Sequence, residues 1–230
     1  MLDRDEYYHV VQHIFDVSTE SSLGFEVLLR HQSLTNPETL FKKARKQGTL
    51  VELDLFSIKK FLQKNSPINH NHKIFFNIFP STLVSSVIHE FFSWIQEEQV
   101  KNIVFELNES NDDQYVWDSY EFINNIQMFR QLGIEIAIDD VGKGQSNLKN
   151  IRNINPDYIK LDKFYGFNIS DSVEKKDILS AFAEVSANSN IKLILEGIET
   201  EEDYETAKKL GISYMQGFYL DIPKPIKESA

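Results

Sequence analysis

The chain has 230 residues, of which 41% are hydrophobic and 26% charged, with a formal net charge of −11 and no cysteine. So acidic a chain does not suit duplex nucleic acid, which needs a basic face, and the missing thiols exclude disulfides, thiolate metal sites and cysteine nucleophiles. The N-terminus Met1-Leu2-Asp3-Arg4-Asp5-Glu6 lacks the apolar core of a signal peptide, and no run reaches the roughly 18 apolar residues of a membrane span, so a cytoplasmic location is expected.

In chain order, short β-rich runs alternate with longer amphipathic ones, the signature of parallel βα units. Strands are expected at His9–Val17, Phe25–Arg30, Lys73–Phe79, Asn102–Leu107, Glu135–Asp139, Tyr158–Leu161, Lys192–Leu195 and Ser213–Leu220. Helices are expected at Pro37–Gln47, Glu52–Gln63, Val84–Glu97, Tyr115–Gln131, Val173–Asn188 and Glu201–Lys209. Runs such as Glu135-Ile-Ala-Ile138 and Lys192-Leu-Ile-Leu195 are apolar on both faces, as strands buried inside a parallel sheet must be. Eight strands in about 230 residues predict one (β/α)8 TIM-like barrel, a fold that typically takes about 250 residues. Only a short Ser/Thr/Glu turn separates the first two strands, too little for a crossover, so the first strand is expected to be antiparallel. Gly133 and Gly211 sit where helices should end.

Polar residues stand within or just past these apolar runs: Glu26, Asn77, Glu106, Asp139, Asp140, Lys160, Glu196 and Gln216. A carboxylate in an apolar strand is costly to bury unless it is paired or bound to a cation. Active sites of (β/α)8 barrels lie at the C-terminal rim of the strands, where five acids would repel one another without cations. Oxygen-only ligands select hard ions such as Mg²⁺ or Mn²⁺, and the adjacent Asp139 and Asp140 could flank two ions of the kind that clamp phosphate displacement. Lys160 is the lone cation among these residues. Water positioning, charge compensation and general base all remain open for it, since burial and neighbouring carboxylates push a lysine pKa in opposite directions.

Eight motifs, in order, resemble the EAL-domain family of cyclic di-GMP phosphodiesterases over about Val11–Pro223. They are Val11-Gln12-His13-Ile14, Glu26-Val27-Leu28-Leu29-Arg30, Phe76-Asn77-Ile78, Phe105-Glu106-Leu107-Asn108-Glu109-Ser110, Asp139-Asp140-Val141-Gly142, Asp157-Tyr158-Ile159-Lys160-Leu161-Asp162, Glu196-Gly197-Ile198-Glu199-Thr200 and Gln216-Gly217-Phe218. The resemblance implies a single domain over 1–230, with a core from about 9 to 223. It implies a first metal held by Glu26, Asn77, Glu106 and Asp139, and a second held by Asp139, Asp140 and Glu196. Lys160 would stand near the attacking water and Glu199 would anchor a loop. Arg30, next to Leu29, would meet a substrate phosphate with its planar fork. Gln12 would contact a guanine and Gln216 the edge of the site. The implied reaction opens cyclic di-GMP to linear pGpG with two divalent cations, Mg²⁺ or Mn²⁺, and with Ca²⁺ inhibitory. A homodimer and a regulatory or sensor protein are the partners it implies.

The stretch Val141-Gly142-Lys143-Gly144-Gln145-Ser146-Asn147-Leu148 departs from the family's Phe-Gly-Thr-Gly-Tyr-Ser-Ser-Leu, which in the family supports the second metal and the dimer contact. That motivates the alternative of a catalytically idle cyclic di-GMP receptor. A protein-interaction barrel and a Mg²⁺-dependent enzyme of carbon-acid chemistry rank below both. Glu109, Glu135, Asp157 and Asp162 are expected to be structural. His70 and His72 read as a solvated loop, Phe91-Phe92-Ser93-Trp94 as an apolar helix face, and Lys42-Lys43-Ala44-Arg45-Lys46 as a solvated basic one.

Overall fold

The structure of the protein, a computed structural model, describes residues 4–64, 72–93, 95, 100–108, 113–142 and 148–225. His70, Trp94, Glu109, Ser110 and residues 143–147, on which some of the expectations fall, lie outside the described residues. Strands β1 (Tyr7–Asp16) and β2 (Ser21–His31) form an antiparallel hairpin in which Gln12 stands opposite Glu26. Strands β3 (Lys73–Ile78), β4 (Ile103–Asn108), β5 (Glu135–Val141), β6 (Tyr158–Leu161), β7 (Lys192–Leu195) and β8 (Tyr214–Met215) follow in parallel, and an antiparallel β1–β8 contact closes the barrel. The eight strands and the antiparallel start are as expected from the sequence.

Helices α1 (Pro37–Lys46) and α2 (Leu50–Lys64) cover β2 and β3. Helix α1 begins with Pro37 in its first turn, and the Asn36 side chain accepts the Glu38 N–H, a polar cap for an otherwise orphaned donor. Helices α3 (Pro80–Leu83) and α4 (Ile88–Ser93) replace the single helix expected over Val84–Glu97. Pro80 starts the first early, and Ser85 ends it by donating its hydroxyl to the Thr82 carbonyl. The helix expected from Tyr115 begins instead at Tyr120, as α5 (Tyr120–Leu132), because Ser119 caps it by accepting the Phe122 N–H. It ends at Gly133, whose φ of 96° lies in the left-handed region that favours glycine. Helices α6 (Leu148–Ile154) and α7 (Lys163–Gly166) were not anticipated, while α8 (Val173–Ala187) and α9 (Glu201–Lys209) were.

The last strand is much shorter than the expected Ser213–Leu220. The chain turns at Gly217, where a Cβ would lie 2.1 Å from the Ile198 carbonyl oxygen, and its own carbonyl accepts the N–H groups of Leu220 and Asp221. No helix among the described residues is long and apolar enough to cross a membrane.

The core has two layers. Strand faces such as Val27, Phe76, Phe105, Ile138 and Leu195 pack outward against the helices. Ile14, Phe75, Val104, Ala137, Tyr158 and Ile194, one from each of six strands, pack together inside the barrel. Side chains alternate along a strand with period two. The residue two places further towards the mouth therefore faces inward as well: Gln12, Asn77, Glu106, Asp139, Lys160 and Glu196. An apolar floor thus lies one layer beneath the polar residues.

The Phe75 ring is fully buried, 5.2 Å from Tyr158 in an edge-on arrangement. Phe75→Ala should lower unfolding free energy by about 3–5 kcal/mol through lost burial and the cavity left behind. Urea unfolding followed by circular dichroism measures it, and a loss below about 1 kcal/mol would mean that the floor is not packed as described.

Candidate active site and metal centre

Lys160 stands at the middle of the polar layer with 1% of its surface exposed. Its Nζ lies 2.8 Å from Glu106 Oε1, 2.8 Å from Glu196 Oε1, 3.4 Å from Glu26 Oε2 and 3.5 Å from Asp139 Oδ1. Asn77 bridges two of these acids, donating through Nδ2 to Glu26 Oε1 at 2.7 Å and to Glu106 Oε2 at 3.1 Å. Gln216 donates to Glu26 Oε2 at 3.0 Å and to Gln12 Oε1 at 3.1 Å. Glu26 lies at the middle of β2, where the sequence suggested the start of a shorter strand.

Neighbouring residues of a regular strand point to opposite faces, so Asp139 and Asp140 could not ordinarily share a site. The pairing of β5 with β6 slips between Ile138 and Val141, and Asp140 has a φ of 56°. This bulge turns Asp140 back towards the mouth, where ligand atoms of Asp139, Asp140 and Glu196 all lie within 4.8 Å of one another.

Four carboxylates around one ammonium leave three negative charges in excess if all ionise. Two unit charges 4 Å apart interact by about 4 kcal/mol at an effective dielectric constant near 20, more than a typical net hydrogen bond contributes. The titration of the groups reflects this. Burial pushes Glu106 well above its ordinary range, and Glu26 adds to the push against Lys160. Burial likewise raises Asp139 against Lys160, and raises Glu196 to about 8 although 20% of its side chain is exposed. At Glu26 burial pushes up, but Lys160, Gln216 and Asn77 outweigh it and the net shift is down. Burial pulls Lys160 down, but the carboxylates of Asp139, Glu106, Glu196 and Glu26 overcome it and hold the ammonium well above its usual pKa.

The buried Asp139 Oδ1 has no hydrogen-bond partner, and Glu106 Oε1 has only the unaligned Lys160 contact at 2.8 Å. Excess charge, unused buried oxygens and an all-oxygen donor set fit a hard divalent cation.

A cleft of about 600 Å³ opens from this cluster. Glu26, Asn77, Asn108 and Asp140 line it together with Leu29, Arg30, Phe41, Arg45 and Asp54. Arg30 donates to the Leu29 carbonyl at 3.0 Å. Glu199 is exposed in the turn before α9 and is not one of the four acids around Lys160. Gln12 belongs to the buried layer, its amide occupied by Gln216 and by the Asp221 carbonyl.

Three residues escaped the sequence reading. Asn108, quoted in a motif but not selected, reaches the cleft from the top of β4. Asp54 lies on the buried face of α2, its Oδ2 accepting the Phe79 N–H and the Thr82 hydroxyl, and burial raises it to about 7. An acid on an apolar helix face was the available signal. Arg45 is not merely a solvated base: it forks onto the fully buried Asp113 at 3.0 and 2.8 Å and lies 4.9 Å above the Phe79 ring. The expected structural roles do appear for Asp157, which accepts the Ile136 N–H, Asp162, which caps α7, and Glu135, which pairs with Lys73 and Tyr158.

The family model of the EAL domain matches residues 1–223. The chain belongs to the EAL domain family. Cyclic di-GMP phosphodiesterase PdeF of Escherichia coli is 25% identical over 98% of this chain and 31% of its own length. Cyclic di-GMP phosphodiesterase PdeA of Borreliella burgdorferi is 29% identical over 81% of this chain and 28% of its own length. The chain thus spans less than a third of these relatives. Among solved structures, the manganese/cyclic di-GMP complex of Klebsiella pneumoniae BlrP1 at pH 6 superposes with a TM-score of 0.82 at 23% identity, covering 97% of this chain and 57% of that one. The cAMP and cyclic di-GMP bound form of the EAL enzyme Bd1971 gives 0.83 at 22% identity, over 96% and 63%. These likenesses establish that the EAL barrel is the fold of this chain.

The raised acids predict how the cation-free protein responds to pH. Glu196 is protonated in the folded chain up to about 8 but ionises near 4.5 when unfolded, so the folded state holds the extra proton in between. Stability contributed below pH 4.5 is then lost as pH rises through 8. Glu106, Asp139 and Asp54 act in the same direction, Glu26 in the opposite one. In EDTA the melting temperature should fall by about 5 °C or more between pH 5 and 8, and Glu196→Gln should flatten that slope. A melting temperature that rises over this range would contradict the assignment.

Proposed function

We propose that this EAL domain is a divalent-metal-dependent phosphodiesterase that hydrolyses cyclic di-GMP to linear pGpG. The observation that carries the reading is the convergence of Glu26, Asn77, Glu106, Asp139, Asp140 and Glu196 around Lys160 at one end of a cleft that also holds Arg30. Glu26, Asn77, Glu106 and Asp139 would hold one cation and Asp139, Asp140 and Glu196 a second, Mg²⁺ or Mn²⁺ in each case. When bound, such ions polarise a phosphate ester and lower the pKa of water.

The chain's own residues do the rest. In the cation-free chain the four acids hold the Lys160 ammonium well above its usual pKa, so it compensates their charge there. Asn77 holds Glu26 and Glu106 apart at fixed spacing. The apolar floor of Phe75, Val104, Ala137 and Ile194 keeps water from reaching the cluster from below. Arg30 lines the cleft and would meet a phosphate oxygen, and the Phe41 ring in the same lining would suit a base. Ca²⁺, larger and more loosely coordinated, is expected to occupy the site without supporting turnover.

Incubation of the purified chain with cyclic di-GMP and Mn²⁺ or Mg²⁺, followed by chromatography, should yield pGpG. Glu26→Ala and Asp139→Ala should each lower kcat by about 100-fold or more with the fold retained. Near-normal turnover in either variant would overturn the site. The second reading, an idle receptor, is favoured by the altered stretch that begins at Val141, next to Asp140. Binding of cyclic di-GMP in calorimetry with no linear product under either ion would establish it.

A further inference from the structure

Strand β8 has only two residues and pairs with β1 only at Phe15 and Asp16. Beyond that point the seam between last and first strand is closed by the segment that follows. After the turn at Gly217 the chain runs back beside β1, and Val11 and Lys224 exchange two backbone hydrogen bonds of 2.8 and 3.0 Å. Asp221 pins this strap. Its Oδ2 accepts the His13 backbone N–H at 3.1 Å and lies 2.8 Å from His13 Nδ1, and its Oδ1 accepts from Lys224 Nζ. Burial pushes the Asp221 carboxyl up, but the bonds from Lys224 and His13 outweigh it and hold it below the usual range.

The backbone carbonyl of Asp221 accepts from Gln12 Nε2 at 2.9 Å. A carbonyl can only accept, so it makes the Gln12 amide present nitrogen to the strap and oxygen to Gln216. Gln216 must then turn its own nitrogen inward, and it donates both to Gln12 Oε1 and to Glu26 Oε2. A reversed Gln216 amide would set its oxygen against the Glu26 carboxylate. One carbonyl outside the cluster therefore sets the polarity of two amides and of a hydrogen bond to the acid at the cluster's edge.

We propose that the strap is a positioning element for the site, and that Asp221 acts through Gln12 and Gln216 to hold Glu26 in the orientation that receives a cation. This rests on the reading of Glu26 as a cation ligand. Among the described residues no part of the strap lines the cleft, and Asp221 bonds Gln12, His13 and Lys224, so it acts through other residues.

The test uses the full chain without nucleotide, titrated with Mn²⁺ in a calorimeter, and then cyclic di-GMP kinetics. Asp221→Ala should weaken Mn²⁺ binding and lower kcat by about 10-fold or more, the effect typical of partners one step removed from a metal, with KM changed by less than about twofold. Asp221→Asn, which keeps an acceptor for His13, should recover most of the loss, and Ile222→Ala, exposed and outside the relay, should match the wild type. Should Asp221→Ala fail to fold, Gln12→Leu breaks the relay while leaving the strap's bonds to Val11 and His13, and must show the same loss of Mn²⁺ affinity. A folded Asp221→Ala or Gln12→Leu chain with wild-type Mn²⁺ affinity overturns the proposal. A wild-type chain that takes up no Mn²⁺ overturns the reading of the cluster itself, and the proposal falls with it.

Discussion

An ammonium sealed among carboxylates is the constraint on which the rest of this molecule depends. Lys160 reaches Glu26, Glu106, Asp139 and Glu196 within 3.5 Å and is almost wholly buried. The apolar floor beneath rules out solvation from that side, so the charges must be matched by the protein or by ions that enter from the cleft. Each acid's titration follows from how much of that matching it receives. Glu26, facing Lys160 and bonded by Gln216 and Asn77, is pulled down, while burial and the neighbouring Glu26 push Glu106 up.

Closure of the barrel produces the cluster. Six of the strands contribute one inward polar residue two places beyond an inward apolar one, and only a closed cylinder brings these positions face to face with Glu26. Two irregularities complete it. The bulge at Asp139 and Asp140 lets neighbouring residues share one face, and the antiparallel first strand sets Gln12 opposite Glu26. A parallel first strand would need a crossover connection there.

Where sequence reading succeeded, it did so for a physical reason. Apolar runs with strand period mark buried strands whatever their partners, and a charged residue inside such a run is expensive enough to need an explanation. That is why Glu106, Asp139, Lys160 and Glu196 could be picked out in advance. Asp54 and Arg45 were hidden because helices carry polar residues at little cost, and their burial is imposed by α1 and α2 lying against the cleft. Asn108 was hidden because an amide at a strand end is ordinary. The short β8 was hidden because the apolar pattern runs on through Leu220, while the near contact of Gly217 with Ile198 forces the chain to turn.

By itself the sequence determined the class of fold, the antiparallel start, the family and the oxygen-rich character of the site, since periodicity, loop length and residue chemistry are local properties. Only the tertiary structure decided which acids share Lys160, that Asp140 turns to the same side as Asp139, that Glu199 stays outside, and that residues 221–224 close the seam beside Gln12. Those facts depend on register and closure, which are set by contacts between residues up to about 210 positions apart in the chain, such as Gln12 with Asp221. No local pattern encodes such contacts.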